Sequence, residues 1–141
     1  MYVGSQMKPK ILIAIALCTA LSAQAQQVLE TTDITVRDLG NDLLKITVEV
    51  KNISDKSISE IAGFLDIYDK TGSITEKKDL AVVLKSDVPL KPEKNAARSV
   101  IITQRPNMSG TVRFRITYLR FFGEPEIYLI CPNCGELILK E

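Results

Sequence analysis

Cys131-Pro132-Asn133-Cys134-Gly135 is the stretch of this 141-residue chain whose residue types and spacing come closest to chemistry. Two thiols three positions apart can serve as half of a metal site, as a redox-active dithiol, or as a disulfide across a tight turn. The chain has three cysteines and no histidine. Without imidazole there is no Ser-His-Asp or Cys-His catalysis, and no ordinary proton shuttle near neutral pH. A structural zinc needs four ligands, so Cys131 and Cys134 would require carboxylates such as Glu136, or a dimer sharing four cysteines.

The flanks of this turn narrow the options. Residues 126–130 lead in and 136–140 lead out as short apolar runs, which predicts a β-hairpin with the cysteines at its tip. The Cys-Pro-x-Cys-Gly run resembles one half of a zinc-ribbon or rubredoxin-type knuckle, a motif that carries weight only in pairs. Redox-active Cys-x-x-Cys pairs sit at a helix N-terminus, where the dipole lowers the thiol pKa. Strand flanks supply no such dipole. The expectation is therefore a disulfide between Cys131 and Cys134, with no cofactor. Zinc and reversible redox chemistry at the same two residues are the alternatives.

The compartment bears on that choice. Lys8 and Lys10 precede an apolar run from Ile11 to Leu21, and Ala23-Gln24-Ala25 follows as a small-x-small cleavage pattern. This predicts a helical signal peptide over 1–25, cleaved before Gln26, with Met7 as an alternative start. The run is shorter than the roughly 20 residues a bilayer span needs, so no stable membrane span is expected after cleavage. Ile15-Ala16-Leu17-Cys18 places bulky Leu17 where a lipoprotein box wants a small residue, which argues against lipidation. Cleavage removes Lys8, Lys10 and Cys18, leaving sixteen basic residues against 17 acidic ones and only two cysteines. A periplasmic or secreted location follows, and such compartments favour pairing of the two thiols. The near-neutral charge gives no reason to bind nucleic acid.

Residues 26–141 are the right length for one domain with a single core. Leu44, Ile46, Val48 and Val50 alternate with Lys45, Thr47, Glu49 and Lys51, the period of a strand with one buried face. Val112, Phe114, Ile116 and Tyr118 alternate with Arg113, Arg115 and Thr117 in the same way. Ile61, Leu65 and Ile67 share one face and Phe64 and Tyr68 the other, which predicts a central strand or one that contacts a partner. Turn residues separate these runs at 39–42, 52–57, 69–72, 87–92 and 104–110. Seven to eight short strands at this spacing predict an all-β, immunoglobulin-like antiparallel sandwich behind the signal-peptide helix.

The stretch from Ile46 to Val100 resembles the FxLYD type of bacterial immunoglobulin-like domain. The matching residues are Val48-Glu49-Val50-Lys51-Asn52-Ile53-Ser54, then Phe64-Leu65-Asp66-Ile67-Tyr68-Asp69, Gly72 and Leu90-Lys91-Pro92. An additional residue between Phe64 and Tyr68, and no glycine after Pro92, depart from the pattern. The resemblance implies a sandwich found in exported or envelope-attached proteins and supplies no catalytic residue.

Other polar features read as ordinary sheet and turn chemistry. Asp66 with Asp69, and Glu124 with Glu126, are carboxylate pairs expected to be solvated or to close turns, so no enzyme is expected. Arg113 and Arg115 share a strand face, and Arg98 could lie on a neighbouring strand, giving a candidate surface for a partner or an anion. Acidic cross-strand neighbours would be the plainer environment for all three. Asn52-Ile53-Ser54 and Asn107-Met108-Ser109 fit a glycosylation sequon but read as turns. The expected role is binding or structural in the bacterial envelope, with another envelope protein or a second copy as partner.

Overall fold

A computed structural model describes residues 27–131 and 136–140. The expected signal peptide and Cys134 lie outside the described residues. Every regular element described is a strand: β1 (Leu29–Gly40), β2 (Leu43–Asn52), β3 (Ile58–Asp69), β4 (Ile74–Val83), β5 (Asn95–Thr103), β6 (Met108–Phe121), β7 (Tyr128–Ile130) and β8 (Leu137–Leu139). They form two antiparallel sheets, one ordered β1-β2-β5 and the other β4-β3-β6-β7-β8. This split, with the first, second and fifth strands facing the rest, is an immunoglobulin-like sandwich.

Alternation along β2 creates the core. Ile46, Val48 and Val50 are fully buried, and Leu44 nearly so. They meet Ile61, Leu65 and Ile67 of β3, and Leu119 and Phe121 of β6, across the interior. Each such side chain contributes about 1.5–3 kcal/mol of burial. β3 lies between β4 and β6, as its two-sided apolar pattern requires.

Two features depart from simple alternation. β6 has a register shift: Ala62 faces Tyr118 while Gly63 faces Ile116, so Thr117 is an extra residue. The bulge moves the inward positions from Val112, Phe114 and Ile116 to Leu119 and Phe121, and turns Tyr118 outward, unlike the continuous alternation expected. β1 was not legible in the pattern, since a register shift between Thr31 and Asp33 breaks its period. Asn41 and Asp42, with φ of 54° and 60°, join it to β2. Positive φ at both central residues is the tight hairpin turn whose twist suits the flanking strands.

A buried asparagine ties the ends of β2 and β3 together. Asn52 is fully buried. Its Nδ2 donates to the carbonyls of Lys56 (2.8 Å) and Leu90 (2.9 Å). Its Oδ1 accepts from the N–H (2.9 Å) and hydroxyl (2.7 Å) of Ser54. The side chain thus satisfies a turn that has no strand partner. With its amide enclosed and both hydrogens used, Asn52 offers no site for a glycan.

Candidate interaction surface

The outward face of the five-stranded sheet gathers the chemistry-bearing side chains. Phe64, Asp66 and Tyr68 point outward from β3, because Leu65 and Ile67 point inward. Asp66 lies opposite Arg113, and Phe64 opposite Arg115. The Arg115 guanidinium lies over the Phe64 ring, 5.4 Å from its centroid, and that of Arg113 over Tyr68 at 5.6 Å. Arg115 also donates to both carboxylate oxygens of Asp66, at 3.3 and 3.4 Å. The expectation of a solvated Asp66 is corrected: it is paired with the Arg115 guanidinium and its side chain is only 7% exposed.

Next to this cluster, residues in register form an apolar row across all five strands. Ala81 of β4 faces Ala62 of β3, which faces Tyr118 of β6, then Leu129 of β7 and Ile138 of β8. Leu129 and Ile138 are exposed. Beyond the row, Arg120 and Glu60 form an ion pair at 2.8 Å. The face therefore combines aromatic rings, arginines and aliphatic groups, the composition favoured at the centre of protein interfaces.

Arg98 does not belong to this surface. It lies on β5 in the other sheet, opposite Val48, so it projects toward the interior at the rim of the sandwich. There it pairs with Asp87, beside a cleft of about 400 Å³ lined by Val82, Val83, Leu90 and Ala96. Sequence spacing alone cannot tell which sheet a strand joins, and the placement on a neighbouring strand is corrected on that ground. Acidic partners close two of the three arginines: Asp66 for Arg115 and Asp87 for Arg98.

The remaining carboxylates serve turns. Asp69 accepts from the N–H groups of Thr71 (2.8 Å) and Ser73 (3.0 Å) and from the Thr71 hydroxyl. These bonds, the Thr71 hydroxyl foremost, hold its pKa below the usual carboxylate value. Glu124 pairs with Lys56 at 3.6 Å, and Glu126 is exposed.

The two arms flanking the cysteines, β7 and β8, pair antiparallel, as their apolar runs predicted. Ile130 faces Leu137, and the Cys131 N–H donates to the Glu136 carbonyl at 2.9 Å. Among the described residues, no three Cys, Asp or Glu side chains converge as a metal site. No described helix is long and apolar enough to cross a membrane.

The fold and this face define an all-β sandwich module with a mixed aromatic, arginine and aliphatic surface. No family model matches the chain, and no curated protein matches it. Among solved structures, IrmA from Escherichia coli is similar, at 12% identity over 80% of this chain and 82% of that one, with a TM-score of 0.44. The structural-genomics target SoR45 is 14% identical over 79% of this chain and 76% of its own, with a TM-score of 0.34. At these values neither likeness carries an argument, and the architecture rests on the strand pairing itself.

Proposed function

We propose that this chain is an exported, non-catalytic β-sandwich module that binds another protein of the bacterial envelope. The observation that carries the reading is the apolar row through Tyr118, Leu129 and Ile138 beside the ring-stacked Arg113 and Arg115. A sheet face that met only water would carry polar residues at these positions. The signal pattern around Lys8, Ile11–Leu21 and Ala23-Gln24-Ala25 supports export. The FxLYD likeness agrees with an envelope setting, and its Asn52 and Asp69 both serve as turn-closing side chains.

Within the same reading, Cys131 and Cys134 are a disulfide that holds the last hairpin shut. Support comes from the backbone bond between Cys131 and Glu136, which already brings the two arms together. Thiol titration of denatured protein from the native compartment should find no free thiol; two alkylatable thiols, or one zinc per two chains, would replace the disulfide with the dithiol or metal reading.

The binding role is tested with a photo-crosslinking residue placed at Leu129, and separately at Ser99 on the opposite sheet, in the exported protein in intact cells. A discrete crosslinked species from the Leu129 position alone is expected. Silence at both positions contradicts the reading.

A further inference from the structure

The further inference rests on the binding-module reading and adds to its apolar row a second contact, on the neighbouring edge of β6. β6 runs from Met108 to Phe121, and β3 follows one of its edges from Ile58↔Phe121 to Asp69↔Met108. On the other edge β7 meets only Tyr118 and Leu119. β7 ends at Ile130, and β8 pairs with β7 rather than with β6. Among the described residues, no strand pairs with positions 108–117 on that side. An unpaired edge of this length is a ready template for another strand.

The core is incomplete at the same place. Val112, Phe114 and Ile116 point inward from β6 yet are only half-buried. On the facing sheet, Ile34 is half-buried and Val36, also inward, is 37% exposed. A cleft of about 240 Å³ opens there, bounded by Val28, Leu29, Phe114, Ile116, Ile130 and Cys131. Outward from the same edge stand Arg113, which stacks on Tyr68 and makes no ion pair among the described residues, and Arg115.

We propose that the β6 edge over residues 108–117 takes an extended segment of a partner protein in which apolar residues alternate with aspartate or glutamate. The partner's backbone pairs with the open edge. Its apolar side chains, all on one side of the strand, complete the core against Val112, Phe114 and Ile116. Its carboxylates fall on the other side, beside Arg113 and Arg115. Charge chooses the acidic partner, since opposite charges across a strand pair stabilise and like charges repel. This chain's own edge strands fit less well: β4 mixes Glu76 and Asp79 with Lys77 and Lys78, β5 has no acid, β8 has three residues, and β1 sets Arg37 beside Glu30 and Asp33 on its outward face.

The test uses two end-blocked, fluorescent peptides of about ten residues, one alternating valine with glutamate and the other valine with lysine, read by anisotropy at low salt. The glutamate peptide is expected to bind about tenfold more tightly than the lysine peptide, and to slow amide exchange over 108–117. Arg113→Glu should reverse the preference, and the milder Arg113→Gln should nearly abolish it. The proposal is overturned by no binding of either peptide, by equal binding of both, or by a preference that neither variant changes. It is also overturned if the protein alone is a dimer with these amides already protected, since a second copy then holds the edge. Loss of peptide binding with the Leu129 crosslink intact removes the edge site alone; loss of both removes the binding-module reading.

Discussion

Arg115 reaches across from β6 to hold Asp66 of β3, with Nε 3.3 Å from Oδ2 and Nη2 3.4 Å from Oδ1. The two are unequally buried: the Asp66 side chain is 7% exposed and that of Arg115 37%. An acid so enclosed depends on its partner, because an unpaired buried carboxylate carries its full desolvation penalty. Arg115→Leu should therefore destabilise the domain by about 2 kcal/mol, less than for a fully buried pair because the arginine reaches solvent. Asp66→Asn removes the charge and should cost less. Urea unfolding of the two variants checks the order.

Asn52 tests how far one side chain closes the β2–β3 turn. Asn52→Ala strands the N–H of Ser54 and removes one of the two donors to each of the Lys56 and Leu90 carbonyls, which keep the Ser54 hydroxyl and the Ile58 N–H. Each buried orphan costs about 1–3 kcal/mol, less where water can reach it. The expected loss is about 3 kcal/mol, seen as a lower urea midpoint at unchanged slope. Expression in a glycosylating host should leave position 52 unmodified by mass spectrometry.

Gly63 is held to its type by a neighbouring strand. A Cβ at this position would lie 2.2 Å from the Arg115 carbonyl oxygen and 2.9 Å from the Ile116 Cα, both backbone atoms. Relief requires β3 and β6 to separate at the bulge that sets the outward face. Gly63→Ala should cost about 3 kcal/mol and disturb the Arg115 side-chain resonances, whereas alanine at an exposed position of the other sheet, such as Thr103 on β5, should do neither.

Asp69 gives a pH signature. Its folded pKa lies below the ordinary 3.8, the Thr71 hydroxyl being the largest cause. A lowered folded pKa means that the carboxylate contributes stability above the unfolded value, and that this is lost as pH falls through the folded one. Carbon-detected NMR titration should place the Asp69 midpoint below 3.8 in the native protein and higher in Thr71→Val. A midpoint unmoved by that substitution contradicts the assignment.

The readable parts of this molecule are those whose pattern follows from local burial. Ile46, Val48 and Val50 announce their strand because one face of β2 is sealed along its length. Phe64 and Tyr68 mark β3 as central because apolar groups line both its faces. The cysteine hairpin was legible from two short apolar arms around a turn. What escaped depends on contacts between distant strands. β1 is an edge strand with a register shift, so burial does not enforce its period. Tyr118 turns outward because Thr117 is an extra residue against β3, which no local pattern reveals. Asp66 is paired with Arg115 from the next strand, and Arg98 faces inward because β5 joins the other sheet. The open edge of β6 is likewise a property of pairing, fixed by β7 meeting only Tyr118 and Leu119 before it ends at Ile130.

The open edge of β6 is the feature on which partner binding by this chain turns. Residue-resolved amide hydrogen exchange on the purified monomer measures it directly, with β2 as the internal standard because strands flank it on both sides. Slow exchange is expected along β2, with an alternating pattern over residues 112–117 in which amides facing β3 are protected and those on the open edge exchange rapidly. Uniform protection across 112–117 in the monomer would show the edge already filled by the protein itself, and would contradict the account.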